Sequence, residues 1–478
     1  MSSPSPLLAE IREWMLDARA EDSARYFFPV RDVGTVETGR RSYVIGRKGA
    51  GKTAVAEHIR AMKGPNTFIQ SLSFGNFPFN ALYKLRDEQF TSASQYTSIW
   101  KYLIYTAVCS KMASNPLVDP LVTKDLRRYF NIDLEHALKD SLARLTDRQA
   151  GVNFMGTGLT GTLKSVLTPN DTPWPQRVQA LEDIVVRHNH PTSRYFIIFD
   201  ELDEDYRDIR DEARSEQYFD LLYGLFKAIS DVRRTLGERH RVYPIAFLRD
   251  DIYAKFRDSD RNKWRDFALD LAWDEVSLER LLAHRISRAI APAGPVLEPD
   301  AALSQVFTTL SVRNPGGNTR RRLISHIVSR TLMRPRDIIS WVREAANAAD
   351  AADKDRVASD MLVAIDYAYS QRLQDEFVDE IHSTVPEIGD AFAALSRVRK
   401  QVFSFREFAD AYAEVARPAE NTLSVPELCE QLFNFSVIGN QLRQTNSPVF
   451  RYQRPTARIN PAEKGVVHPG LMKALQIV

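Results

Sequence analysis

Five short apolar runs in the first 275 positions dominate the pattern of hydrophobic and polar residues along the chain. Continuous apolar runs of this length are typical of strands buried in a parallel sheet, whereas apolar residues three or four positions apart indicate helices. The segments after the first and fourth runs carry the helical spacing. Strands alternating with helices predict an α/β fold built on a parallel sheet. The predicted strands lie at 41–45, 67–73, 195–199, 242–248 and 267–273.

Beyond position 275 the apolar spacing becomes helical. In residues 277–290 the apolar side chains form one helical stripe, and two further helices follow. Pro335 opens the second of these at its first turn, where proline is favoured. Near the C-terminus, two helices precede two predicted strands, SVIGN and VFRYQ. Helices followed by a β-hairpin are typical of a winged-helix domain.

The segment VIGRKGAGKTAVAEHI joins the first predicted strand to a predicted helix. It contains the spacing G-x-x-x-x-G-K-[ST], which in this strand–loop–helix context indicates a phosphate-binding loop. Glycines let consecutive backbone N–H groups converge on phosphate oxygens, and the helix N-terminus adds a partial positive charge. We expect Lys52 to reach the β- and γ-phosphates and the Thr53 hydroxyl to bind Mg²⁺. The predicted nucleotide-binding residues are Gly46, Arg47, Lys48, Gly49, Ala50, Gly51, Lys52 and Thr53.

The third predicted strand ends in two acids, Asp200 and Glu201. The carboxyl ends of parallel strands form the ligand-binding edge of an α/β sheet. We therefore expect Asp200 to bind Mg²⁺ through water and Glu201 to orient or deprotonate an attacking water. A glutamate beside the metal-binding aspartate favours hydrolysis, and the chain lacks the N-K-x-D motif typical of GTPases. The alternative is an acidic strand end that merely faces solvent.

Arginines follow the fourth predicted strand and precede the fifth. Arg249 ends the fourth strand, where it could touch the γ-phosphate. Arg261 and Arg265 lie where a helix meets the fifth strand, near the rim of the sheet, in the segment DSDRNKWRD. For these two residues, ordinary surface arginines are an equally good interpretation.

Together these motifs resemble the AAA+ and STAND group of P-loop ATPases over residues 41–350. The resemblance implies ATP and Mg²⁺ as ligands. It also implies that Arg249 replaces the polar sensor residue of other AAA+ proteins. Arg265, or else Arg261, matches the position of the arginine finger, which enters the site of a neighbouring subunit. Arg336 in RPRDII is similar to the lid arginine that reaches the γ-phosphate in replication initiators.

The chain departs from this group in two places. STAND proteins usually carry a G-x-P feature where this chain has RPRDII, so the two patterns are mixed. A long insert at about 75–190 replaces the short helix expected after the second strand. The insert contains the helix SQYTSIWKYLIYTAVCSKM and a glycine-rich hairpin candidate, GVNFMGTGLTGTL.

The predicted organisation therefore has five parts. They are an N-terminal helical segment (1–40), a P-loop ATPase domain with the insert (41–275), a helical lid (276–350), connecting helices (351–400) and a winged-helix-like domain (401–478).

Composition excludes several classes of protein. A chain of 478 residues exceeds one ordinary core. Cys109 and Cys429 are the two cysteines, and they form neither a metal-binding spacing nor a disulfide framework, which fits a reducing compartment. Because no apolar run approaches the ~20 residues that span a bilayer, we expect a cytoplasmic protein with no membrane partner. A net charge of +2 means that any basic surface must be local.

A local basic surface is present at the C-terminus, where residues 436–478 contain six Lys or Arg and one acid. A basic wing would contact nucleic-acid phosphates without reading sequence, although many winged helices bind proteins instead. The leading hypothesis is an ATP-binding and ATP-hydrolysing molecular switch that oligomerises and signals to an effector protein. Some relatives of this design act in bacterial antiviral defence. The alternatives are an initiator or loader ATPase that grips nucleic acid, and a switch that holds nucleotide without hydrolysing it.

Overall fold

The computed structural model describes residues 5–73, 82–83, 96–130, 158–167, 172–203, 206, 212–257, 260–313, 319–382, 384–416 and 423–477. The chain divides into two compact units. Unit 1 comprises Met1–Phe28, Gly49–Gly51 and Ala272–Val478, and unit 2 comprises Pro29–Lys48 and Lys52–Leu271. Within the described ranges, no helix has both the length and the apolar character required to cross a membrane.

The described strands and helices are numbered along the chain. The strands are β1 (Tyr43–Ile45), β2 (Thr67–Ser73), β3 (Arg194–Asp200), β4 (Val242–Leu248), β5 (Ala268–Asp270), β6 (Ser311–Arg313), β7 (Arg320–Arg322), β8 (Val402–Phe403), β9 (Ile438–Gln441), β10 (Pro448–Val449) and β11 (Lys464–Val467). The helices are α1 (Pro6–Arg12), α2 (Ser23–Tyr26), α3 (Gly34–Glu37), α4 (Lys52–Arg60), α5 (Thr97–Ala113), α6 (Pro120–Tyr129), α7 (Gly158–Leu167), α8 (Trp174–His188), α9 (Glu212–His240), α10 (Asp250–Ala254), α11 (Arg261–Arg265), α12 (Glu275–Ile290), α13 (Pro299–Val306), α14 (Leu323–Arg330), α15 (Pro335–Ala351), α16 (Leu362–Ile381), α17 (Ile388–Val398), α18 (Phe405–Val415) and α19 (Val425–Asn434).

Unit 2 is built on a five-stranded sheet in the order β2-β3-β4-β1-β5. Every neighbouring pair is parallel. Because β4 lies between β1 and β3, the segments that follow these three strands leave the same edge of the sheet side by side. The predicted α/β parallel-sheet fold is confirmed. With the loop between β1 and α4, it is the fold of a P-loop NTPase.

The apolar runs located the strands of this sheet well. β4 has the predicted limits, and β3 adds one residue at each end of its predicted run. β1 and β5 are shorter than predicted, at three residues each. β5 lies at the edge of the sheet and pairs with β1 alone.

The insert contributes helices to unit 2. The predicted helix is confirmed as α5, which is buried along most of its length and packs against α8, α9 and the sheet. The hairpin predicted for GVNFMGTGLTGTL is wrong in its second half, where the structure has helix α7. Leu163 and Val166 of α7 are buried, so packing against α6 and α8 outweighs the turn preference of the glycines. Residues 151–157 of that segment lie outside the described residues.

The segment DSDRNKWRD, where a surface loop was the alternative interpretation, contains a short helix. Residues 261–265 form helix α11, because Trp264 is buried against Phe226 and Phe256 and anchors this short turn in the core of unit 2. The remaining residues that the sequence places before this helix, 258–259, lie outside the described residues.

Unit 1 begins with α1, which packs against α12 and α15. Arg285 of α12 is buried, forms an ion pair with Glu21 at 2.7 Å and lies over the rings of Trp14 and Tyr26. The N-terminal segment is therefore part of the same core as α12 and α15. Pro335 starts α15, as the sequence predicts.

Four short strands near the C-terminus form a second sheet in the order β10-β9-β11-β8, and all of its pairs are antiparallel. β9 corresponds to the first predicted strand, SVIGN. The second, VFRYQ, is wrong over most of its length, because β10 ends at Val449 and residues 450–453 form no strand. β8 and β11 were not predicted. Gly465 of β11 lies opposite Phe403 of β8, and glycine is required there because a Cβ would lie 2.5 Å from the Phe403 ring. The chain order of this part is α17-β8-α18-α19-β9-β10-β11.

Candidate active site

The phosphate loop leaves β1 and enters α4 with two residues in the left-handed region of backbone conformation. Gly49 has φ +77° and Gly51 has φ +97°, values that side chains other than glycine rarely adopt. The Gly46 N–H donates to the Leu248 carbonyl at 3.1 Å, which ties the start of the loop to the end of β4. The glycines are therefore needed for the conformation of the loop itself.

Lys52 is the first residue of α4, and its ammonium folds back over the loop. Nζ donates to the carbonyl oxygens of Gly46 at 2.9 Å and Arg47 at 3.1 Å. Burial lowers the pKa of Lys52, and the charges of nearby carboxylates, Asp203 first among them, oppose that shift. An ammonium held by two neutral carbonyls in a buried site is suited to exchange them for phosphate oxygens.

The acidic end of β3 holds Asp200 and Glu201. Asp200 is buried, and its register partner is Ser73, the last residue of β2. The Ser73 hydroxyl donates a hydrogen bond to the Glu201 carboxylate. Glu201 also has φ +60°, a left-handed conformation that is uncommon for glutamate. Ser73 is a functional candidate that sequence reasoning missed, although its place at the end of a strand beside β3 is visible in the apolar pattern.

Arg249 follows β4 and lies between two carboxylates. Its Nε and Nη2 donate to Asp251 at 3.0 and 2.7 Å, and its Nη1 lies 3.7 Å from Asp203 Oδ2. Burial disfavours the charged form of Asp251, but the charge and hydrogen bonds of Arg249 keep the pKa of Asp251 below its ordinary value. The neighbouring Asp250 has a raised pKa, because of its burial and the charge of Asp251.

The structure brings several predicted residues of unit 2 together. Because β3, β4 and β1 are parallel neighbours, Asp200 at the end of β3, Arg249 after β4 and Lys52 after β1 lie at the same edge of the sheet. The charges of Asp203, Arg249, Asp250 and Asp200 all act on the pKa of Lys52. Arg265 is not among them. It is exposed at the end of α11, and within the described residues it forms no hydrogen bond or ion pair. Arg261 lies over the Tyr253 ring at 5.3 Å.

The tip of the phosphate loop, Gly49–Gly51, belongs to unit 1. The Arg336 N–H faces the Gly49 carbonyl at 3.5 Å, and a Cβ on Gly49 would lie 3.3 Å from the Cβ of Arg336. Arg336, in the first turn of α15, is therefore next to the loop. Its guanidinium Nη1 lies 3.6 Å from Glu376 Oε1.

Aromatic side chains lie on the other side of the tip. Trp273 Nε1 donates to the Ala50 carbonyl at 2.9 Å. The ring of Phe28 lies 6.4 Å from that of Trp273 and 5.7 Å from that of His284. The Nε2 atom of His284 is buried and has no hydrogen-bond partner among the described residues. This aromatic cluster, Phe28, Trp273 and His284, was not recognised from the sequence because its members are far apart along the chain.

The residues predicted to bind Mg²⁺ suit that ion. Mg²⁺ in nucleotide sites is held by one or two protein oxygens, by waters and by substrate phosphates. Thr53 supplies a hydroxyl at the start of α4, and Asp200 supplies a carboxylate at the end of β3. The described residues contain no group of three or more His, Cys, Asp or Glu that could hold a metal ion on its own.

Sequence comparison finds one family and one curated relative. The family described as "FunZ-associated C-terminal helical domain" matches residues 276–378. The "Putative transposon gamma-delta 80.3 kDa protein" of Escherichia coli (strain K12) is 21% identical over 461 residues. The match covers 91% of this chain and 62% of that protein, so this chain spans less than two thirds of its relative.

Structural comparison finds origin-recognition proteins. The Aeropyrum pernix ORC1 protein in complex with DNA has 13% sequence identity and a TM-score of 0.39, with 96% of this chain and 95% of that chain covered. The Aeropyrum pernix ORC2 protein (ADPNP-ADP complexes) has 13% identity and a TM-score of 0.38, with 93% and 89% covered. Similarity at this level carries no argument about function, and the fold assignment rests on the sheet and the phosphate loop.

Proposed function

We propose that this protein is an AAA+-type molecular switch that binds ATP with Mg²⁺ and hydrolyses it. The observation that carries the proposal is the parallel strand order β3-β4-β1, which places Asp200 at the end of β3, Arg249 after β4 and the glycine-shaped loop with Lys52 after β1 at one edge of the sheet. Three neighbouring strands thus present a cation, a metal-binding carboxylate and an arginine at one edge of the sheet. This is what phosphoryl transfer needs, since it depends on positioning and electrostatic stabilisation.

Each side chain has a distinct task in this proposal. The Lys52 ammonium leaves its two carbonyls for phosphate oxygens, and Thr53 with Asp200 holds the metal. Glu201 takes a proton from the attacking water, while the Ser73 hydroxyl fixes the direction of its carboxylate. When bound, ATP supplies the transferable phosphoryl group and Mg²⁺ neutralises its charge.

Arg249 and Arg336 are proposed to recognise the γ-phosphate. Arg249 is held by Asp203 and Asp251, so its guanidinium is already oriented at the sheet edge. Arg336 is at the tip of the loop. Arg265, exposed on α11, is free to act on a second copy of the chain, which fits the arginine-finger role implied by the resemblance. A STAND-type role in antiviral defence or signalling, with an effector protein as partner, is the finer part of this proposal and rests on the resemblance alone.

The aromatic cluster is proposed to contact the base. Phe28 and Trp273 offer ring faces, and the unpartnered Nε2 of His284 offers a hydrogen bond, next to the loop residue Ala50. Aromatic faces stack on any base, whereas a hydrogen-bonding group discriminates between bases.

A pair of variants tests the proposal. Glu201→Gln keeps the size of the side chain and removes the base, so Mg-ATP should bind as in the unmodified chain while turnover falls ~10²-fold or more. Lys52→Ala removes a ligand, so binding itself should be lost. Calorimetric titration and a phosphate-release assay separate the two effects. Full turnover in Glu201→Gln, or undiminished ATP binding in Lys52→Ala, would contradict the assignment.

A second candidate function is a nucleic-acid-binding initiator or loader ATPase. The observation that favours it is the C-terminal order α17-β8-α18-α19-β9-β10-β11, with the first strand paired to the last. Three helices with a small antiparallel sheet and a hairpin fit a winged helix. The name of the Escherichia coli relative connects that protein with a transposon, which also suits a partner made of DNA.

A further inference from the structure

Five charged side chains meet where α15 begins and α16 ends, all within unit 1. Two are arginines and three are carboxylates: Arg334, Arg336, Asp337, Glu376 and Glu380. We refer to them as the lid cluster. Arg334 is at its centre, because its side chain is 3% exposed. Arg336 is at its edge, with a side chain 33% exposed.

Asp337 and Glu380 accept three of the hydrogen bonds that the Arg334 guanidinium donates. Its Nε donates to Asp337 at 3.0 Å and its Nη2 donates to the same carboxylate at 2.8 Å. Its remaining nitrogen, Nη1, donates to Glu380 at 3.3 Å. Asp337 also accepts the Leu332 N–H at 2.9 Å, so its position is fixed from two sides. With Glu376, three carboxylates face Arg334, which is more negative charge than one guanidinium balances.

Glu376 is that third carboxylate, and it faces both arginines. Its Oε1 accepts a hydrogen bond from Arg334 Nη2 at 3.3 Å and lies 3.6 Å from Arg336 Nη1. Burial raises the pKa of Glu376, an effect that Arg334 opposes. Its charge is therefore poorly solvated, and Arg336 is a partner that the carboxylate gains from keeping.

The backbone of Arg336 is held at the phosphate loop while its side chain turns to Glu376. The Arg336 N–H is 3.5 Å from the Gly49 carbonyl, and the two residues leave no spare room between them. One guanidinium thus has two places to go: the carboxylate on α16, or a phosphate held by the loop. An arginine cannot serve both fully, since its charge-assisted bonds need defined directions.

We propose that Glu376 is a positioning residue that holds the Arg336 guanidinium in the nucleotide-free chain and competes with the γ-phosphate for it. The inference rests on the proposed role of Arg336 as a γ-phosphate ligand. ATP has to displace Glu376 before it gains Arg336, whereas ADP leaves the pair in place. Glu376 therefore sets how strongly the chain prefers ATP over ADP, and the exchange of partners frees a carboxylate on α16 each time ATP binds.

Glu376→Gln tests the inference in the full-length chain. The variant removes the charge and keeps the size, so Arg336 should become more available. We expect the ratio of affinities for a non-hydrolysable ATP analogue and ADP to rise about two- to five-fold, the range for a partly exposed ion pair. Glu376→Asp keeps the charge of the cluster but shortens the reach to Arg336, and it should raise the ratio as well. Isothermal titration calorimetry gives both affinities.

Glu380→Gln is the matched control, because Glu380 lies one turn further along α16 and contacts Arg334 instead of Arg336. It should leave the ratio unchanged. Arg336→Ala should lower the ratio of ATP-analogue affinity to ADP affinity. Adding Glu376→Gln to Arg336→Ala should have no further effect, because Glu376 is proposed to act through Arg336, and the double-mutant cycle measures this coupling.

The failures are distinguishable. If Arg336→Ala leaves the ratio unchanged, the proposed γ-phosphate role of Arg336 falls, and this inference falls with it. If Arg336→Ala lowers the ratio but neither Glu376 variant raises it, the inference alone is overturned. If Glu376→Gln still raises the affinity ratio in the Arg336→Ala background, the inference is also overturned, because Glu376 would then act by repelling the phosphate directly.

Discussion

Glu201 combines an uncommon backbone conformation with a hydrogen bond from the neighbouring strand. A non-glycine residue at φ +60° carries a cost of about 1–3 kcal/mol and persists where the surroundings fix it. Here the surroundings are the end of β3 and the Ser73 hydroxyl at the end of β2. The carboxylate proposed as the general base is thus directed by a residue that does not itself meet the nucleotide.

Ser73→Ala tests that dependence. A hydrogen bond to a charged group contributes roughly 1.5–3 kcal/mol, so turnover should fall about ten-fold or more while the affinity for ATP stays the same. Ser71→Ala is the matched control, since Ser71 points to the same side of β2 one pair earlier. Unchanged turnover in Ser73→Ala would mean that the bond has no part in catalysis.

Arg334 and Arg336 show what sequence could not decide. Both flank Pro335 in RPRDII, and either could have been the lid arginine. Pro335 starts the helix, so Arg334 lies at the N-cap and turns into the lid cluster, whereas Arg336 lies in the first turn beside Gly49. The motif pointed to Arg336, but which of the two side chains is fully buried among carboxylates depends on Glu376 and Glu380 of α16, which is far away in sequence.

At the level of elements, the sequence predicted the long buried strands and the amphipathic helices, but it did not predict the shortest strands and helices. β3 and β4 are almost fully buried, so their sequences are continuous apolar runs. β8 has two residues and β11 contains a glycine, so neither shows a period. α11 is five residues long and depends on one buried tryptophan. The local sequence pattern does not predict an element that is stabilised by contacts with residues far away in sequence.

The lid cluster should matter for the stability of the lid helices. Arg334→Ala would leave three carboxylates facing one partly exposed arginine, and breaking a buried pair typically costs about 3–5 kcal/mol of unfolding free energy. Arg343→Ala is the control on the same helix. Within the described residues Arg343 forms no hydrogen bond or ion pair, so its loss should change the unfolding free energy by less than about 0.5 kcal/mol. Urea denaturation followed by circular dichroism measures both, and equal midpoints would contradict the expectation.

At the scale of the whole molecule, charge is distributed unevenly. The chain carries a net charge of +2, while six basic residues and one acid lie between 436 and 478. The acid, Glu463, is engaged by the backbone N–H of Arg443 at 3.0 Å. Arg454 and Arg458 are exposed and line a cavity of about 390 Å³ beside β9 and β10. Glu463 lines the same cavity, but within the described residues it forms no ion pair with either guanidinium.

If the C-terminal part binds nucleic acid, Arg454 and Arg458 should be phosphate contacts. Removing both, as Arg454→Ala with Arg458→Ala, should weaken binding of duplex DNA about equally for unrelated sequences. The slope of log K against log salt concentration should become shallower by about 2, since each lost phosphate contact accounts for about 0.9. The control removes two exposed arginines of unit 2, Arg187 and Arg234, and so changes the net charge equally. Fluorescence anisotropy at several salt concentrations gives the slopes. If both double variants weaken binding equally, the attraction to DNA depends only on net charge. If DNA binds tightly and neither double variant weakens it, the DNA-binding surface lies elsewhere.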